Sequence, residues 1–340
     1  MTGQICKQKP GERTGFMDLK LVSTLRKCGT ITVAYLSYCS RKRGIKMADY
    51  ILKNSELTVT VSSAGAEIRS VKDNATGQEY MWQADPAFWG WTSPNLFPIV
   101  GNVMHDEFRY KGKAYSMKQH GFGRRSEFAP ADVEGCELGF ALEESESTLA
   151  AYPFRFRFEV GYNLAGRSLK ITWRVINPSD ETIYFQVGAH PAFNTPPTDS
   201  DAPKNACYLA FDTDKALDIS LMNLKDGGLS DDKKEYPLEE GGFLRITDDL
   251  FDINTLIIEN EQVHKISLCD ADKKPYVTVR FEAPLVAVWS PKAAAPFVCL
   301  EPWYGRLDRT TFAGELPERE YEQKLEPAGV FEKSYDIDFE

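Results

Sequence analysis

The chain has 340 residues, 42% of them apolar, 12% aromatic and 26% charged, with a net charge of −10. This is the composition of a globular protein with a full core, and it excludes a disordered or low-complexity chain. The acidic balance makes general nucleic-acid binding a poor fit, since that needs a basic face. No apolar run approaches the roughly eighteen residues that cross a bilayer.

Residues 1–46 differ from the rest. They hold ten Lys and Arg against only Glu12 and Asp18, and three of the seven cysteines. Such a basic, acid-poor stretch fits an organelle-targeting segment, a disordered extension, or upstream sequence ahead of a natural start at Met47. Because Met47 directly precedes the first regular pattern, we expect a basic extension over 1–46 and one domain over 47–340. The cysteines are odd in number, widely spaced and without a CxxC pair. That argues against a disulfide framework or a structural zinc site, and for a reducing compartment, the cytoplasm.

From Ser55 the hydrophobic period is two. Leu57, Val59 and Val61 alternate with polar residues, as do Phe154 to Val160, Leu169 to Val175, and Val277 to Phe281. These spacings predict half-buried strands. Turn residues separate them at Asn74–Gly77, Lys111–Lys113, Asn163–Gly166, Asn177–Ser179 and Asp270–Pro275. Sustained helical periodicity is absent, so the pattern predicts an all-β chain, an antiparallel sandwich or barrel.

Four histidines and one glutamate carry the candidate chemistry. His105, in a polar turn, and His264, entering a strand, read as solvated surface residues. His120 lies in Gln119-His120-Gly121-Phe122-Gly123-Arg124. There two glycines permit close backbone approach, and Arg124 adds a polar head; a glycine-rich turn with a hydrogen-bonded histidine fits equally. His190 follows the apolar stretch Ile183–Val187, and Pro191 stops further pairing. It is either a core histidine satisfied by backbone or a general acid in a pocket. Glu301 sits between the apolar Phe297–Leu300 and the pair Trp303-Tyr304. Desolvation would raise its pKa and make it a better base, and the aromatics suit the apolar face of a sugar; the alternative is a buried glutamate paired with an arginine. Two histidines and a carboxylate also form the ligand set of a facial-triad metal site, but they are far apart and no HxD or HxE pair occurs, so we expect no metal.

Four motifs in order, Ser93-Pro94-Asn95-Leu96-Phe97-Pro98-Ile99-Val100-Gly101, Gln119-His120-Gly121-Phe122, Gly188-Ala189-His190-Pro191-Ala192-Phe193-Asn194 and Cys299-Leu300-Glu301-Pro302-Trp303-Tyr304-Gly305, resemble the aldose 1-epimerase (galactose mutarotase) family, in its LacX-like branch. The resemblance runs from about Tyr50 to the C-terminus. It implies a large antiparallel β-sandwich, the galactose mutarotase-like supersandwich, with a sugar cleft on one sheet and neither metal nor organic cofactor. It also implies that Glu301 is the general base at the anomeric hydroxyl. His190 would be the general acid at the ring oxygen, and His120 a second histidine that polarises the sugar there. Ring opening of a hemiacetal needs just such a proton removed and a proton delivered, each positioned group contributing roughly 10²–10⁴-fold.

The chain departs from the family pattern at two sugar-hydroxyl positions. Asn102 stands where many members have arginine, and Asn254, with Asp252 nearby, where an aspartate is frequent; Arg124 and Trp303 complete the expected sugar contacts. Of the two arginines by which the related hexose-6-phosphate epimerases hold phosphate, only Arg124 has a counterpart, the other aligning near Gly90. The expected activity is therefore a cofactor-independent mutarotase for an unphosphorylated aldohexose. The alternatives are a hexose-6-phosphate 1-epimerase and a non-catalytic carbohydrate-binding module.

Overall fold

A computed structural model describes residues 48–340 apart from Ala293, together with the backbone of three strand segments upstream. The expectation for residues 1–46 otherwise lies outside the described residues. The expected all-β architecture is found. Two large antiparallel sheets face one another. The nine-stranded sheet runs Ala129–Pro130, Leu138–Glu143, Arg157–Ala165, Ser168–Ile176, Val330–Phe339, Pro275–Phe281, Lys265–Cys269, Tyr208–Phe211, Phe243–Arg245. The eight-stranded sheet runs Leu229–Tyr236, Leu217–Met222, Thr255–Ile258, Leu285–Trp289, Phe297–Tyr304, Val187–Ala189, Asn95–Leu96, with Ala192–Asn194 also paired to Phe297–Tyr304. A six-stranded sheet contains the meander Ala48–Lys53, Leu57–Ser62, Glu67–Asp73. Among the described residues no helix is long and apolar enough to cross a membrane.

Period two decides which side chains fill the space between the sheets. Phe158, Val160, Tyr162 and Leu164 on one strand, and Leu169, Ile171, Trp173 and Val175 on its neighbour, are buried there. The facing sheet contributes Leu256, Ile258, Val286, Val288, Val298 and Leu300. Each such fully buried side chain contributes about 1.5–3 kcal/mol relative to exposure.

One predicted strand begins later than its pattern. Phe154 and Phe156 are buried, yet the strand starts at Arg157. Its partner ends at Glu143, opposite Arg157, so the preceding backbone has no ladder to join although the alternation of buried rings persists.

The alternate residues of the eight-stranded sheet face outward, and this outer face bears the site. On Phe297–Tyr304 these are Phe297, Cys299, Glu301 and Trp303. Phe297 and Cys299 belong to a small apolar cluster with Trp82 and Ala295. Trp303 belongs to a second, with Leu96, Val100 and Leu285. Glu301 lies between the two clusters, opposite Ala287, whose single methyl leaves room above the sheet.

Candidate active site

Two strand segments pair with one side of Phe297–Tyr304. Gly188 lies opposite Trp303, and Ala192 opposite Cys299. Both pairings share one register, which sets His190 opposite Glu301 and Pro191 opposite Leu300. The Leu300 N–H donates to the Pro191 carbonyl at 3.1 Å, and proline has no N–H to return the bond. The ladder is interrupted there, and the two side chains meet across it on the outer face. His190 Nε2 lies 3.3 Å from Glu301 Oε2. The close partner of Glu301 is thus His190 rather than an arginine.

Gly188 is required by this packing. A Cβ there would come within 2.7 Å of Trp303 Cδ1. The Trp303 indole instead lies over the bare backbone and donates to the Ala189 carbonyl at 3.2 Å.

His120 arrives on a turn in the left-handed region, at φ +62°, followed by Gly121 at φ +66°. The Gly101 N–H donates to His120 Nδ1 at 3.1 Å, and the His120 N–H donates to the Gly101 carbonyl at 2.8 Å. With Nδ1 accepting, the neutral ring carries its proton on Nε2. The two imidazoles meet edge to face, centroids 5.5 Å apart. The close approach permitted by Gly121 is to the chain itself, against the Phe97 carbonyl, and not to a ligand.

Arg124 closes the turn. Its Nη2 donates to the Gln119 carbonyl at 3.0 Å, its guanidinium lies over Trp91, and its buried Nε has no protein partner. The buried carboxylate of Glu67 supports this corner from behind, accepting the Thr92 and Ser93 N–H groups at 2.7 and 2.8 Å.

These residues surround a cleft of about 310 Å³, within the size range of small-molecule sites. Every residue expected at the site lines it: Asn102, His120, Arg124, His190, Asn254, Glu301 and Trp303. Asn102 donates to the Gly227 carbonyl at 3.2 Å, and Asn254 Oδ1 accepts from the Thr255 hydroxyl at 2.7 Å. Tyr304, paired with Trp303 in the sequence reading, instead points into the core between the sheets, as its place one residue further along the strand requires. His105 and His264 are exposed, as expected.

Sequence reasoning missed Trp89 and Trp289. Trp89 stacks on His190 with centroids 4.6 Å apart, and Trp289 meets it edge to face at 5.5 Å. Trp289 carried a usable signal, since it continues the outward alternation of Leu285 and Ala287; Trp89 lies in a loop without periodicity. The Leu307 wall was also missed. It is fixed by buried ion pairs on either side, Arg306 Nε to Glu259 Oε1 at 2.7 Å and Arg319 Nε to Asp308 Oδ1 at 2.6 Å.

Burial governs the protonation of the pair. It raises the Glu301 carboxyl well above the usual carboxylate range. Burial, with the Arg124 charge second, lowers the His190 imidazole to about 3. His120 is likewise lowered, by burial and then by His190 and Arg124. Arg124 is brought down by burial to about 10 and stays charged at neutral pH. The cleft therefore holds two imidazoles that are neutral at pH 7 and one guanidinium.

The family model for aldose 1-epimerase matches residues 49–323. The chain belongs to the aldose 1-epimerase family. The plasmid and chromosomal proteins LacX of Lactococcus lactis subsp. lactis are each 30% identical to it over 294 residues, 84% of this chain and 97% of theirs. A galactose mutarotase related enzyme from Lactobacillus acidophilus is 37% identical with a TM-score of 0.78, over 86% of this chain and 97% of its own. A galactose mutarotase-like protein from Lactobacillus casei superposes with the same TM-score at 25% identity, over 86% of this chain and all of its own. Within this family the expected sandwich and the LacX-like resemblance both hold.

Proposed function

We propose that this protein is a cofactor-independent aldose 1-epimerase that interconverts the α and β anomers of an unphosphorylated aldohexose. The observation that carries the reading is the buried Glu301–His190 contact at the base of a cleft whose rim offers Asn102, Arg124 and Asn254 to hydroxyl groups.

In this mechanism the pair shares one proton. Its transfer across the 3.3 Å contact to His190 gives a carboxylate beside an imidazolium with no change in net charge. Glu301 then takes the proton of the anomeric hydroxyl while His190 gives its proton to the ring oxygen, and the C1–O5 bond opens to the aldehyde. Rotation about C1–C2 presents the other carbonyl face. Closure returns both protons to their donors. Both reacting oxygens are bonded to the same carbon, which suits two groups in direct contact. The His120 Nε2–H polarises the ring oxygen. Trp89 and Trp289 exclude water from the pair.

The free thiols of Cys136, Cys207, Cys269 and Cys299 support a reducing compartment, and we assign the protein to the cytoplasm. Polarimetry of freshly dissolved α-D-glucose and α-D-galactose tests the activity, with glucose 6-phosphate as a third arm. The reading expects faster decay to the same final rotation for an unphosphorylated sugar. Acceleration confined to the phosphorylated sugar would replace it with the 6-phosphate epimerase, and acceleration of none would leave a binding module.

A further inference from the structure

Cys299 has no part in the chemistry above, yet it lies two residues before Glu301 on the same outward face of the same strand. One nitrogen of His190, the Cys299 sulfur and one oxygen of Glu301 all lie within 4.8 Å of one another, and all three residues are buried. We propose that His190, Cys299 and Glu301 form a binding site for a borderline-soft divalent cation of the zinc class, and that the cation, once bound, blocks the sugar site.

The donor set fits zinc. Nitrogen, sulfur and carboxylate oxygen are its three protein ligand types, and three protein ligands with a fourth position open is its arrangement at solvent-accessible sites. The sulfur argues against magnesium or calcium, which take oxygen ligands. Tetrahedral zinc, with bonds of about 2.0–2.3 Å, needs its donor atoms about 3.3–3.6 Å apart. His190 and Glu301 already meet that spacing at 3.3 Å. The most distant donor pair must close by about 1 Å, within reach of side-chain rotation.

A further observation points to a ligand. Glu301 Oε2, although 3.3 Å from His190 Nε2, makes no hydrogen bond, and buried polar atoms are ordinarily satisfied. A thiolate and a carboxylate together neutralise a dication, so the loaded site buries no net charge. Cys299 itself does not line the cleft, whereas His190 and Glu301 do. The open fourth position therefore faces the cleft, where a hydroxyl of the sugar would otherwise lie.

The site is independent of the mutarotase reading; only the inhibition rests on it. The direct test is titration of the full-length protein with Co²⁺. The expected result is one equivalent bound, with tetrahedral d–d absorption and a thiolate-to-cobalt charge-transfer band. Cys299→Ser and Cys299→Ala should lose that band, and calorimetry should show Zn²⁺ binding weakened at least tenfold in both. Zn²⁺ should slow wild-type mutarotation in competition with sugar, and the same two variants should keep basal turnover while resisting the metal. Absence of the charge-transfer band from the wild type, or Zn²⁺ affinity unchanged by both substitutions, would overturn the proposal. If the protein proves inactive on every sugar, the cobalt spectrum and the calorimetry still decide the site.

Discussion

Gly121→Ala is the substitution whose cost the structure defines most sharply. Gly121 has φ +66°, where an L-residue is strained by roughly 1–2 kcal/mol. A Cβ there would fall 2.2 Å from the Phe97 carbonyl oxygen and 2.6 Å from its carbon. Those atoms are backbone and cannot rotate away, so the turn must lift from Phe97, an overpacking cost of about 1–3 kcal/mol. The sum is about 2–5 kcal/mol. His120 precedes Gly121, so the same movement displaces its imidazole, and a misplacement of about 1 Å can cost a hundredfold in rate. Gly123→Ala is the control. Its Cβ would lie 3.2 Å from Phe97 Cβ and 3.3 Å from the Asn95 and Phe97 carbonyl oxygens, contacts that need a shift of only a few tenths of an ångström rather than the lifting of the turn, at about 1 kcal/mol, the low end of the overpacking range. Urea unfolding followed by circular dichroism, with polarimetry on the folded protein, measures both effects. A Gly121→Ala protein within about 1 kcal/mol of the wild type, with unchanged anomer exchange, would refute this account of the turn.

Three further outcomes follow. With the His190 imidazole lowered to about 3 by burial, its protonation does not change between pH 5 and 7, so an NMR titration of its ring should show no inflection there; an inflection near 6.5 would contradict its burial as a neutral imidazole. Trp89→Ala should rehydrate His190, bring its pKa back towards 6.5 in an NMR titration and lower turnover, whereas an unmoved pKa would show that Trp89 does not shield it. Asp73 is held at about 2, first by the Thr76 N–H and then by Arg167, against 3.8 ordinarily. The stability it adds is complete above pH 4 and is lost as pH falls towards 2, so Asp73→Asn should be less stable at pH 7 and flatten the acid limb between 4 and 2; a parallel curve would disprove the linkage.

The sequence carried the strands wherever one face is core and the other solvent. It carried Ser168–Ile176 nearly to the residue, because Leu169, Ile171, Trp173 and Val175 alternate with polar side chains throughout. It misjudged the start of Arg157–Ala165, because buried rings at 154 and 156 keep the period while the partner strand has ended. Among the site residues, those on motif segments were legible. Their convergence was not, since the position of His190 opposite Glu301 depends on a register shared by two separate strand segments. Trp89 comes from a loop fixed by tertiary contacts, and the Leu307 wall from ion pairs distant in sequence. Neither leaves a periodic trace.

The most direct test is Glu301→Gln, a substitution that keeps the size of the side chain and its place opposite Ala287 while removing the exchangeable proton. Polarimetry on the best aldohexose should show anomer exchange slowed by roughly 10²–10⁴-fold, with unfolding and sugar affinity close to wild type. Near wild-type turnover in a folded Glu301→Gln protein would contradict the assignment of Glu301 as the base.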